Sequence, residues 1–149
     1  LGLVVPDGNP RGLATLADLA RAGLRFVNRQ AGSGTRHFVD LALSRAAVEP
    51  ERITGYHDVV STHWAIALRV LREEADVGVA ARSVAHALGL GFVPLVRERF
   101  DMVIPKDAFF RPAVQGLFEA VRSDGFREGL GRLGGYDARQ SGRVLAEVS

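Results

Sequence analysis

A short apolar run that breaks into a glycine-rich turn and resumes as a helix restricts this chain more than any other feature. Leu24, Phe26 and Val27 read as a buried strand, Gly32-Ser33-Gly34-Thr35 follows, and Phe38, Val39, Leu41, Ala42 and Leu43 then recur at helical spacing. The same alternation runs through most of the length. Strands are expected at 1–5, 24–27, 76–80, 92–96 and 100–104, with helices capped by Thr15, running on from the glycine turn to about Ala47, starting at Ser61-Thr62-His63, and covering 83–88, 112–121 and 125–133. Strands alternating with helices predict an α/β fold with a mostly parallel sheet and flanking helices. In such sheets ligands sit beyond the carboxyl ends of the strands, against helix N-termini.

The glycine turn lies at that position. Gly32 and Gly34 let backbone approach a ligand, Ser33 and Thr35 offer hydroxyls, and the first turn of a helix carries N–H groups without internal acceptors. Arg29 and Arg36 bracket the segment with guanidinium groups suited to oxyanions. Ser61, Thr62 and His63 present a second helix start with hydroxyls and an imidazole. Two readings stand side by side: helix capping alone, or an anion site built from Ser33, Gly34, Thr35 and Arg36 with Thr62 and His63 as further donors.

Other chemistries lack their residues. No lysine follows the second glycine as a Walker A loop requires, and no third glycine opens the helix as in a dinucleotide fingerprint. His37, His57, His63 and His86 have no metal-ligand spacing, and Ser33 is not in a Gly-x-Ser-x-Gly elbow, so no catalytic and no metal-binding residue is assigned. The absence of cysteine removes thiolate sites and disulfides. With 19 basic and 17 acidic residues the net charge is +2 and no basic block is visible, so direct nucleic-acid binding by this domain is not expected. No apolar run is long enough for a membrane span, and no signal peptide is visible. The chain opens on Leu1 rather than Met, directly in a strand, which suggests a piece of a longer protein; the expected compartment is cytoplasmic, or periplasmic if a signal segment precedes Leu1.

Taken in order, several short motifs resemble one family. They are Asn28-Arg29-Gln30, Gly32-Ser33-Gly34-Thr35-Arg36, Gly55-Tyr56, Thr62-His63, Ala75-Asp76-Val77-Gly78, Phe92-Val93-Pro94-Leu95, Glu98-Arg99-Phe100-Asp101 and Gly134-Gly135-Tyr136-Asp137. The chain resembles the periplasmic-binding-protein-like domain related to molybdate and tungstate binding proteins, often attached to helix-turn-helix regulators or molybdopterin biosynthesis proteins. The resemblance implies a type II fold of two α/β lobes closing on a ligand, with 1–149 as the ligand-binding domain. Residues 11–91 are expected to form one lobe, and 92–149 the crossover and the remainder of the other.

Relative to that pattern a segment ahead of Leu1 is missing, so the first lobe is expected to be truncated and a homodimer could cover its exposed surface. By the same resemblance Ser33, Gly34, Thr35 and Arg36 form one wall of the site. The function implied is non-catalytic binding of a tetrahedral oxyanion, molybdate or tungstate, as sensor or carrier, with no cofactor. The alternatives are the organic-effector module of a helix-turn-helix transcriptional regulator and an accessory domain of molybdenum cofactor biosynthesis. An upstream DNA-binding domain or a transporter is the partner each version implies.

Overall fold

The computed structural model describes residues 1–147. It divides into two compact units, residues 1–98 and residues 99 onward.

The first unit is built on a five-stranded sheet of β1 (Gly2–Val5), β2 (Phe26–Arg29), β3 (Val59–Val60), β4 (Val77–Ala80) and β5 (Gly91–Pro94), in the order β3-β2-β4-β1-β5. Side chains alternate across it as strand geometry requires. Leu3, Val5, Phe26, Val77 and Val79 face Val39 and Leu43 of helix α1 (Gly34–Arg45). Val4, Val27 and Ala80 face Ile66, Ala67 and Val70 of α2 (His63–Leu71) and Val84 and Ala85 of α3 (Arg82–Ala87). Because helices cover both faces, strands β1 and β4 are buried at every position. A single turn of 3₁₀ helix, Leu16–Ala20, carries the capping box expected at Thr15, with Asp18 accepting from the Thr15 N–H at 2.8 Å.

Two packing constraints hold the site-bearing elements. A Cβ on Gly78 would lie 2.5 Å from Ile66 Cγ2, so α2 rests directly on the backbone of β4. Gly55 has φ +90, and a Cβ there would come within 2.0 Å of the Phe26 carbonyl oxygen, so only glycine lets the chain cross the start of β2.

Two expectations need correction. The sheet is mixed rather than mostly parallel: β2 pairs in parallel with β3 and β4, but β1 pairs antiparallel with both β4 and β5. Four strands share one direction, and β1 alone reverses it in the middle of the sheet. Leu3 pairs with Val79 and Val93, and nothing local to an opening strand announces partners so far along the chain. The stretch 100–104 is not a strand, since it has apolar residues but no ladder to join, and Phe100 and Val103 are 93% and 94% exposed.

The second unit contains α4 (Pro112–Arg122) and α5 (Asp124–Leu133). Among its described residues Phe118 is the buried apolar one and packs on Phe109, with ring centroids 5.4 Å apart. Ser123 caps α5 by accepting from the Phe126 N–H at 3.2 Å. No helix among the described residues is long and apolar enough to cross a membrane.

Candidate functional site

Strand β2 ends at Arg29 and feeds the turn into α1, while β3 ends at Val60 and feeds the start of α2. The pairing of Arg29 with Val60 places both helix starts at the carboxyl edge of adjacent strands, and the Gln30 N–H donates to the Val60 carbonyl at 3.2 Å. Since α1 and α2 pack on opposite faces, that edge is approached by one helix N-terminus from each side.

The hydroxyls at these starts are not equivalent. Ser33 is the N-cap of α1: its Oγ accepts from the Arg36 N–H at 3.1 Å and donates to the Gln30 carbonyl at 3.1 Å. The proton of that hydroxyl is therefore engaged. Thr35 lies on the sheet-facing stripe with Val39 and Leu43 and is only 7% exposed, yet its hydroxyl has no partner among the described residues. The residue is buried but its oxygen is not among the sealed, partnerless atoms, so the hydroxyl is within reach of water or a ligand. The N–H groups of Gly34 and Thr35 fall in the first turn and have no intrahelical acceptor.

On α2, Thr62 is the N-cap and accepts from the Ala65 N–H at 3.0 Å, which leaves its own proton free to donate. His63 lies on the same stripe as Ile66, Ala67 and Val70, and its Nδ1 is buried without a partner among the described residues. Burial, then the neighbouring Arg29 guanidinium and the N-terminal ammonium, hold its pKa below the ordinary imidazole value, so it is neutral at pH 7. Thus the first turn of each helix carries, on its sheet-facing stripe, a polar side chain without a hydrogen-bond partner among the described residues, and of the two His63 Nδ1 is sealed from solvent.

The two arginines that bracket the turn also differ. Arg36 is turned onto its own helix, its Nε donating to the Asp40 carboxylate at 2.7 and 3.0 Å. Its guanidinium stacks 4.4 Å from the Tyr56 ring centre, and the Tyr56 hydroxyl donates to Asp40 at 2.7 Å. Burial and the Asp40 carboxylate raise the Tyr56 phenol above its usual value, which keeps it a donor. Arg36 is thereby charge-compensated within the fold. Arg29 instead donates from Nη2 to the Ser61 carbonyl at 2.9 Å and from Nε to Gln30 Oε1 at 3.2 Å.

An open depression of ≈ 490 Å³ lies on the outer side of the turn, between Gly32, Ser33, Arg36, His37 and Asp40. The Asp40 carboxylate on its rim makes it a poor seat for an anion, and neither Thr35 nor His63 lines it. The described residues contain no cluster of three or more His, Asp or Glu side chains that could hold a metal. Asp76 works elsewhere: at the start of β4 it accepts from the Arg25 backbone N–H at 2.8 Å and from its guanidinium at 3.2 Å. That is the amino edge of the strands, remote from the helix starts.

The sequence matches the model of the PBP superfamily domain over residues 1–122. It is 35% identical over 147 residues to the uncharacterized protein YvgK of Bacillus subtilis (strain 168), an alignment covering 99% of this chain and 47% of YvgK. It is 30% identical over 102 residues to an uncharacterized protein in the ferredoxin 2Fe-2S gene 5' region of Clostridium pasteurianum, covering 68% of this chain and 90% of that protein. The chain thus spans about half the length of its Bacillus relative. No solved structure matches it. The chain belongs to the PBP superfamily.

Proposed function

We propose that this PBP superfamily domain binds a small oxyanion at the carboxyl edge of β2 and β3, with molybdate and tungstate as the first candidates, and serves as a sensor or carrier rather than a catalyst. The observation that supports this most is the buried His63 Nδ1, which lacks a partner among the described residues, and the unbonded Thr35 hydroxyl, on the first turns of two helices that reach one sheet edge from opposite faces. Together with the first-turn amides of α1 and the free Thr62 proton they form a set of donors. Ser33 and Gly34 contribute through the cap and the backbone, and Arg36 supports the turn by fixing Asp40 and Tyr56. No general base with a reactive partner accompanies them, which is why binding rather than catalysis is proposed.

Trp64, half exposed in the first turn of α2, favours one second reading, in which the ligand is an organic anion whose flat body lies on the indole and the domain is the effector module of a regulator. The experiment that tests the first reading follows Trp64 emission and thermal melting with molybdate, tungstate, sulfate and phosphate. Saturable binding of molybdate or tungstate with a raised Tm is expected, because a ligand that prefers the folded state stabilises it. Thr35→Val should weaken that binding by about 1–3 kcal/mol without lowering the ligand-free Tm, since the lost hydroxyl has no hydrogen-bond partner among the described residues. Unchanged affinity in Thr35→Val refutes the site.

A further inference from the structure

Residues 1–98 contain three half-buried arginines, Arg29, Arg36 and Arg69. Arg36 is paired with Asp40 at 2.7 Å, and Arg69 is paired with Asp58 and with Glu74. Arg29 has no carboxylate partner among the described residues, although a partly buried charge ordinarily has one. Its side chain is nevertheless held firmly. Gln30 Oε1 fixes Nε at 3.2 Å and the Ser61 carbonyl fixes Nη2 at 2.9 Å, so the plane of the guanidinium is set by the first residue of one turn and the last residue before the other helix cap. The Arg29 backbone is itself clamped, its N–H donating at 2.9 Å to Oδ1 of the buried Asn28, whose amide donates to the Tyr56 carbonyl at 3.2 Å.

We infer that Arg29 is the residue that reads the ligand's negative charge, and that Gln30 is a positioning residue which aims it. The inference rests on the oxyanion reading above and deepens it by naming the ligand class: an anion presenting at least two oxygens, so that the remaining guanidinium N–H groups and the neutral donors on α1 and α2 share it. Arg36 does not perform this role, because its charge is already matched by Asp40. Neutral molecules of the same shape are excluded, since they would leave the Arg29 charge uncompensated when water is displaced from it. Arg29 also stands close enough to His63 to act on it electrostatically, which locates the guanidinium beside the second helix start.

The test measures affinity for sodium molybdate and sodium tungstate by calorimetry in the wild-type chain, Arg29→Gln, Arg29→Lys and Gln30→Ala, together with ligand-free melting of each. Arg29→Gln is expected to bind about 10- to 100-fold more weakly, as fits the loss of a charge-assisted hydrogen bond. Its ligand-free Tm should equal or exceed that of the wild type, because an unmatched charge has been removed. Arg29→Lys should recover only part of the affinity, because a lysine cannot use both anchors. Gln30→Ala should weaken binding less than Arg29→Gln and leave part of its salt dependence in place.

Wild-type binding that Arg29→Gln leaves within roughly twofold overturns the assignment of Arg29 and leaves the oxyanion reading standing. A marked fall in ligand-free Tm, or failure of Arg29→Gln and Arg29→Lys to fold, shows Arg29 to be structural and overturns the assignment in the same way. Absence of binding of molybdate, tungstate, sulfate and phosphate to the wild type overturns the oxyanion reading and this assignment together.

Discussion

Gly78→Ala tests how the site-bearing helix is seated. The added Cβ would meet Ile66 Cγ2 at 2.5 Å, the Val27 carbonyl oxygen at 2.9 Å and Val27 Cγ1 at 3.0 Å. An ordinary carbon–carbon contact is about 3.5–4.0 Å, so Ile66 would have to retreat by roughly 1 Å. The Val27 oxygen cannot retreat in the same way, because Val27 and Gly78 are register partners in the central parallel pair β2–β4. Overpacking a filled core costs about 1–3 kcal/mol, and the backbone contact puts this case near the upper end. For a chain of this size that corresponds to a fall in Tm of about 5–15 °C.

The physical cause can be isolated with Ile66→Ala, which removes the Cγ2 methyl and on its own costs about 2–5 kcal/mol. In the double variant the methyl introduced on β4 gains the space Ile66 gives up but still presses on the Val27 oxygen. The combined loss should therefore fall short of the sum by about 1 kcal/mol or more, the signature of two groups in direct contact. Thermal and urea melts of the four proteins supply the cycle. A Gly78→Ala Tm within about 2 °C of wild type, or losses that add within about 0.5 kcal/mol, would refute the close seating of α2 on β4.

Ser33→Ala should destabilise α1 by about 1 kcal/mol, seen as a lower Tm, because the residue caps the helix rather than carrying a free donor. Tyr56→Phe should cost about 1 kcal/mol by stripping Asp40 of its phenol donor while leaving molybdate affinity unchanged, and a loss of affinity would place the Arg36–Asp40–Tyr56 cluster in the site after all. The Arg25 guanidinium, with its backbone N–H, holds Asp76 below the ordinary carboxyl value of 3.8. A depressed carboxyl contributes stability above its unfolded pKa and loses it as pH falls through the folded value, so Asp76→Asn should flatten the acid limb of a Tm-against-pH curve below about pH 4 and leave the shape above pH 5 unchanged. Amides of β4, buried at every position, should exchange with deuterium far more slowly than those of α4 and α5, whose unit buries one apolar side chain, Phe118, among its described residues; equal protection would contradict the difference in packing.

What the sequence discloses about this fold is what neighbouring residues decide among themselves. The caps at Ser33 and Thr62 and the apolar stripes behind them are local patterns, and α1 and α2 begin where those patterns place them. Strand β3 has only two residues, one of them exposed, which is too short for any periodicity to register. The reversed direction of β1 depends on partners far along the chain, and the stretch 100–104 shows that apolar content without a ladder does not make a strand.

The candidate site divides along the same line. A hydroxyl at a helix start can cap the helix or face a ligand, and composition does not separate the two. Position within the helix does. Thr35 precedes Val39 and Leu43 at intervals of four, and His63 precedes Ile66, Ala67 and Val70 by three, four and seven, so each is the polar first member of a stripe that is otherwise apolar and turned to the sheet. That pattern can be read without coordinates. The pairing of Arg36 with Asp40 is likewise a local four-residue interval. The isolation of Arg29 is different in kind, because it is the absence of a carboxylate across several elements at once, and only the assembled edge of β2 and β3 displays it. A fold that, among the described residues, matches the charge of Arg36 and Arg69 but leaves Arg29 without a carboxylate and His63 Nδ1 without a partner has placed its unmet electrostatic demand at one edge, and an anion with several oxygens meets it there.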